Sequence, residues 1–210
     1  MSQSRGVVAG DDDVGQDGRV LALSDGVFAI AATLLALDIR VPEGLSTGGL
    51  HDALLELTPD IVGYAIAFLV IGVLWMGHRE LFTDVYRAEP PVAAVNVVLL
   101  GFVALLPFPS SLLANYGDEP VAVLGYAANV AMIAALQLVI VGVARRTGSF
   151  RPGRAAFPAY APSAVTIVVF ALSAPVALFA PTWTPLCWLL LIPAHATVNR
   201  IEKRTAGAGR

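Results

Sequence analysis

Asp25 and His78 are titratable residues set inside otherwise apolar stretches, and at that depth such a side chain either relays protons or anchors a hydrogen-bonded network that lipid cannot supply. A lone ionised group there costs ~2.5 kcal/mol or more, so each needs a partner. Arg19 and Ser24 lie just before Asp25, and Trp75 lies one helical turn before His78. An Arg–Asp–His–Ser cluster with Trp75 alongside would satisfy donors and acceptors together and orient the element carrying Asp25. Metal and covalent chemistry find no support. The 3 histidines and the 1 cysteine, Cys187, form no ligand cluster, and no nucleophile–base pair emerges from His51, His78 and His195. The reading is therefore not an enzyme, with no cofactor and no bound metal, and no basic stripe suggests nucleic acid.

The elements that must hold these residues are membrane helices. The chain has 210 residues, of which 57% are hydrophobic and 14% charged, and its mean hydropathy is +0.73. Spanning ~30 Å of hydrocarbon takes roughly 20 apolar residues. Runs near 20–41, 61–82, 92–114, 121–144, 157–180 and 183–199 meet or approach that length. Turn chemistry separates them: Pro42-Glu43-Gly44, Glu89-Pro90-Pro91, Asn115-Tyr116-Gly117-Asp118, Arg151-Pro152-Gly153, and Pro181 with Pro185. The expectation is an all-α, polytopic membrane protein with six transmembrane helices over 19–200. Residues 1–18, rich in Asp, Gly and Ser, read as a disordered cytoplasmic tail, and 201–210 as a second cytoplasmic tail. All but one of the 13 Lys and Arg residues fall on one side of this ladder, Arg40 being the exception. That bias predicts a multi-pass protein of the cytoplasmic membrane with both termini inside.

The first run is written differently from the rest. On a helical wheel Arg19, Leu23, Ile30, Leu34 and Leu37 fall within about 40° of one line, with Gly26 and Thr33 beside it. Asp25, Ala29, Ala32 and Ala36 occupy the other side, and small residues at that spacing let a neighbouring helix approach closely. The alanine side is thus expected to pack inside the protein. The aliphatic side then meets lipid, another subunit or a pore. In the third run Pro107 and Pro109 should bend or end the helix, with Ser110 and Ser111 able to repair lost bonds. Asn129 and Gln137 read as interhelical glue.

Three ordered segments resemble a known family. Arg19-x-x-x-Leu23-Ser24-Asp25-Gly26-Val27-Phe28-Ala29-Ile30 with Thr33-Leu34-Leu35 is similar to the Arg-x-x-x-Phe-Ser-Asp signature of the transmembrane protein 175 family, the lysosomal potassium channels and their bacterial relatives. Tyr64 to His78 resembles that family's second helix, and Leu106-Pro107-Phe108-Pro109-Ser110-Ser111-Leu112-Leu113 its third-helix Pro-Phe-Pro-Thr segment. Leu23 stands where the family usually has Phe, and Arg79 where a second His commonly follows.

The resemblance implies a six-helix subunit that forms a homotetramer in the lipid bilayer, with the first helix of each copy lining a central pore for potassium ions. It places the first constriction on Ile30, further narrow levels on Leu34 and Leu37, and a hydroxyl level on Thr33. Arg19, Ser24, Asp25, Trp75 and His78 become the network that holds the pore helix. The function implied is a passive potassium (cation) channel. The competing reading is a proton-coupled secondary transporter using Asp25 and His78.

Overall fold

The computed structural model of the chain describes residues 11–44, 46–151 and 156–207, and these are helical, with one isolated antiparallel bridge, Val85 to Phe150. The helices are α1 (Asp11–Leu34), prolonged by a 3-10 turn (Leu35–Asp38), α2 (Thr47–Glu56), α3 (Thr58–Asp84), α4 (Pro90–Leu105), α5 (Pro107–Asn115), α6 (Pro120–Arg146), α7 (Ala156–Phe179), α8 (Thr184–Cys187) and α9 (Leu191–Gly207). Proline sits in the first turn of α3, α4, α5 and α6. There its missing N–H removes no intrahelical bond, so each proline both ends the preceding segment and starts the next.

Among the described residues five helical segments are long and apolar enough to cross a bilayer: Gly18–Leu37, Gly49–Asp84, Pro90–Asn115, Pro120–Arg146 and Tyr160–Phe179. The sixth expected crossing, near 183–199, is divided. Short 3-10 turns at Pro181–Trp183 and Trp188–Leu190 flank α8, and a continuous helix resumes only at α9. Pro185 and Pro193 lie in this stretch, and their missing N–H groups work against one unbroken helix. At the other end α1 begins at Asp11, well before the expected position 20, so 11–18 is helix where a disordered tail was expected. Residues 1–10 and 208–210 of the expected tails lie outside the described residues.

The core is organised on α6. Val123, Tyr126, Val130, Ile133, Gln137, Ile140 and Ala144 alternate three- and four-residue steps along one face, and all are buried. Tyr126 stacks on Trp188 (ring centroids 4.7 Å apart), which also stacks on Phe170 (5.0 Å) and donates through its indole N–H to Ser173 Oγ (3.1 Å). That aromatic cluster ties the divided last segment to α6 and α7.

The proline-rich third run breaks as expected. The Leu106 N–H bonds Val103 O (3.1 Å), one residue short of α-helical register. Phe102 O, which an unbroken helix would pair with that N–H, accepts instead from Asn129 Nδ2 on α6 (3.2 Å). Ser110 Oγ donates to Leu106 O (2.9 Å). Gln137 Nε2 likewise reaches across to Leu74 O (3.0 Å), while Ser163 Oγ donates to Gln137 Oε1 (2.8 Å). Both amides thus join helices.

Candidate pore helix and its supporting network

One face of α1 is covered and one is not. Ser24, Phe28, Ala31 and Leu35 recur at helical spacing and are buried. On the other side Ile30 is 60% exposed, Leu34 41% and Leu37 63%, with Leu23, Gly26 and Thr33 exposed alongside. The aliphatic line read from the sequence is therefore a ridge that nothing among the described residues covers.

The buried face is not the one expected. Ala29 and Ala36 are exposed, and Asp25 and Ala32 are only half-buried. Two physical terms outweigh the small-residue spacing. Phe28 fills the space beside the His78 ring (centroids 5.5 Å apart), gaining more buried apolar area than an alanine can. Ser24, one turn earlier on the same face, must bury a hydroxyl and finds a partner there.

That partner is Asn96 on α4. The hydrogen bonds run in one direction: His78 Nε2–H donates to Asn96 Oδ1 (2.8 Å), Asn96 Nδ2 to Ser24 Oγ (3.0 Å), and Ser24 Oγ to Val20 O (2.9 Å). An amide oxygen only accepts, so the proton of the first link is on Nε2. His78 is wholly buried, stacked on Phe82 (4.7 Å), and its Nδ1 has no hydrogen-bond partner among the described residues. Asp25 follows a separate path: Trp75 Nε1 donates to Asp25 Oδ1 (2.7 Å). The Arg79 guanidinium lies over the Trp75 ring, 5.7 Å from its centroid.

The expected four-residue cluster thus resolves into two links, Trp75–Asp25 and His78–Asn96–Ser24. Arg19 joins neither. It is exposed on the same side as the ridge, and among the described residues no ion pair connects it to Asp25. The 2.7 Å indole bond supplies the partner that a guanidinium was expected to provide. Asn96 is a site residue that the sequence reading above does not include. Its signal was a lone amide in an apolar run, and which helix it would face is a tertiary fact. Among the described residues no group of three or more His, Cys, Asp or Glu side chains is arranged to hold a metal. Thr33 Oγ1 donates to Ile30 O (2.9 Å), which leaves the oxygen's lone pairs on the exposed side.

The family model for the endosomal/lysosomal potassium channel TMEM175 matches residues 19–107, the stretch that holds the ridge and both links. A solved structure of a lysosomal potassium-selective channel TMEM175 homolog from Chamaesiphon minutus superposes with a TM-score of 0.73 at 29% identity, covering 88% of this chain and 99% of that one. The chain is similar to the TMEM175 family over residues 19–107 and to the fold of a bacterial homolog over most of its length. A potassium channel of Streptomyces collinus is 45% identical over 104 residues, covering 50% of this chain and 50% of its own length. The endosomal/lysosomal proton channel TMEM175 of Homo sapiens is 36% identical over 110 residues, 49% of this chain and 22% of that protein. The chain thus spans about half or less of the length of these curated relatives. Likeness to TMEM175 in sequence is concentrated in the first half of the chain, while likeness in fold extends over most of it. The members matched here are named as ion channels, in keeping with a non-enzymatic chain.

Proposed function

We propose that the chain is the subunit of a passive potassium channel of the cytoplasmic membrane, in which four copies surround a central pore lined by α1. The observation that carries this reading is the uncovered ridge of Ile30, Leu34 and Leu37 on a helix whose opposite face is pinned into the bundle. Rings of such side chains form a hydrophobic constriction, which dewets when narrow and conducts when widened. Thr33, with its lone pairs free on the same side, supplies a level of oxygen ligands between them. The Trp75–Asp25 and His78–Asn96–Ser24 links hold the helix at one depth and rotation, so that four copies could present equivalent rings. Both termini are assigned to the cytoplasm on the Lys and Arg bias.

Vertebrate relatives are named endosomal/lysosomal proton channels, so proton passage is the second reading to test. In its proton-coupled form it requires Asp25 and His78 to exchange protons. Against that, the two residues bond to different partners, His78 has no solvent access, and α1 is continuous through Asp25. The deciding experiment reconstitutes the purified chain in liposomes and measures potassium, sodium and proton flux separately. The channel reading expects potassium flux down its gradient with no proton gradient applied. Flux that requires an opposing proton gradient would replace it with the transporter. Light scattering of the detergent-solubilised protein should give four chains per particle.

A further inference from the structure

Where α6 ends, away from the two links to α1, the chain builds a basic corner. Gly148 has a φ of 74°, which turns the chain back after Arg146, and the Ser149 N–H closes the end of α6 by bonding Ala144 O (2.8 Å). The residues after α3 hold the returning segment: the Tyr86 N–H donates to Ser149 O (3.1 Å), the Tyr86 hydroxyl to Gly148 O (2.8 Å) and the Arg151 N–H to Asp84 O (2.8 Å). This return sets the buried Phe150 ring against Arg145. The guanidinium carbon lies 4.4 Å from the centroid of that ring and 5.4 Å from that of Tyr160 on α7.

Arg145, Arg146 and Arg151 are exposed, and among the described residues no ion pair holds any of them. No Asp or Glu occurs between Glu119 and Glu202, so the segment that forms the corner carries no counter-charge of its own. From α3 come Asp84, which is buried, and Glu80 one turn earlier, which is exposed. Three exposed guanidiniums against one exposed carboxylate favour an anionic ligand. A guanidinium laid over two rings is already oriented, so it loses little freedom on forming the paired N–H bonds that suit a phosphate.

Depth and surroundings identify the source of that phosphate. Arg146 is the last residue of the Pro120–Arg146 span and Tyr160 the first of the Tyr160–Phe179 span, so the corner stands at the hydrocarbon edge, the level of phospholipid headgroups. Met132, Val139 and Arg146 follow at seven-residue steps along one line of α6, and all three are exposed. That line is an apolar track for an acyl chain, with a cation at its end. We propose that the corner binds an anionic glycerophospholipid of the leaflet on the Lys- and Arg-rich side. Its phosphate pairs with Arg145, flanked by Arg146 and Arg151, and an acyl chain runs along Val139 and Met132. The assignment does not depend on what the pore conducts, because its readout is lipid retention.

The test is native mass spectrometry of the purified full chain in detergent, exchanged with phosphatidylglycerol or phosphatidylcholine. Phosphatidylglycerol should be retained about tenfold over phosphatidylcholine, and Arg146→Gln and Arg151→Gln should each cut its retention about fivefold. Arg145→Gln should cut it about tenfold, and Arg145→Lys, which keeps the charge and loses the planar fork, about threefold. Should Arg145→Gln fail to fold, the Arg146 and Arg151 variants keep the test open, since neither side chain is bonded to another described residue. Arg200→Gln removes an exposed arginine from α9 and should leave retention unchanged, and excess inorganic phosphate should not displace the lipid. Full retention in folded Arg145→Gln, or in both Arg146→Gln and Arg151→Gln, overturns the site. An equal loss in Arg200→Gln means general attraction to a basic surface and overturns it too. Displacement by inorganic phosphate assigns the corner to a soluble anion instead, and equal retention of the two lipids removes the charge selectivity on which the proposal stands.

Discussion

Trp75 donates its indole N–H to Asp25 across 2.7 Å, joining α3 to α1 at the level where a carboxylate inside a membrane helix most needs a donor. The bond has the short length of a charge-assisted pair. Trp75→Phe keeps the ring and removes the donor, so the expected loss is about 1.5–3 kcal/mol of stability. Asp25→Asn keeps an acceptor and should be milder. Asp25→Ala should reduce folding or assembly rather than change ion preference. Thermal melts with size-exclusion chromatography check all three, and a well-assembled Asp25→Ala protein with altered selectivity would contradict the anchoring role.

Asn96 sits between two partners, accepting a hydrogen bond from His78 and donating one to Ser24. Its replacement should therefore cost more than loss of either end. Asn96→Leu strands the His78 ring N–H, at about 1–3 kcal/mol for an unsatisfied buried group, and also removes the donor to Ser24 Oγ, which keeps only its bond to Val20 O. Ser24→Ala strands only one amide hydrogen. In a double-mutant cycle Ser24→Ala and Asn96→Leu should be strongly non-additive, because the second change removes the partner lost in the first. Additive losses in melting free energy would mean the link contributes nothing as a unit.

Arg79 covers the Trp75 ring from the exposed side of α3. A guanidinium over an indole contributes ~0.5–1 kcal/mol at an exposed site, so Arg79→Gln should lower stability by about that much. If the contact acts by steadying the indole, the loss should vanish in a Trp75→Phe background. A loss that persists there would show that Arg79 acts elsewhere.

What could be read along the chain depended on whether one helix or two decided it. The ridge of Ile30, Leu34 and Leu37 follows from the 100° step of a single helix, and the depths of Ser24, Asp25, Trp75 and His78 follow from rise per residue, so both were legible. Which face of α1 goes inward was not, because that depends on Phe28 finding the His78 ring and Ser24 finding Asn96, contacts between segments 50 or more positions apart. Arg19 was assigned to the carboxylate by sequence proximity, and the nearer donor in space came from α3. The break at Pro107 was visible, while the rescue of Phe102 O by Asn129 needed the α4–α6 interface.

Leu34 and Leu35 are adjacent in sequence, but the first is on the uncovered ridge and the second in the core. The same substitution at each therefore separates a pore role from a packing role. Leu35→Ala should cost about 2–5 kcal/mol of stability through the cavity it leaves, with flux per folded particle unchanged. Leu34→Ala should leave melting nearly unchanged and raise potassium flux in liposomes, because a smaller ring is wider and wets more easily. Ile30→Asn should raise it further, since the amide also offers water a partner at the first constriction. If the ridge faces lipid instead, Ile30→Asn places an uncompensated amide in hydrocarbon. The protein would then lose stability with no gain in flux, and the pore assignment of α1 would fall.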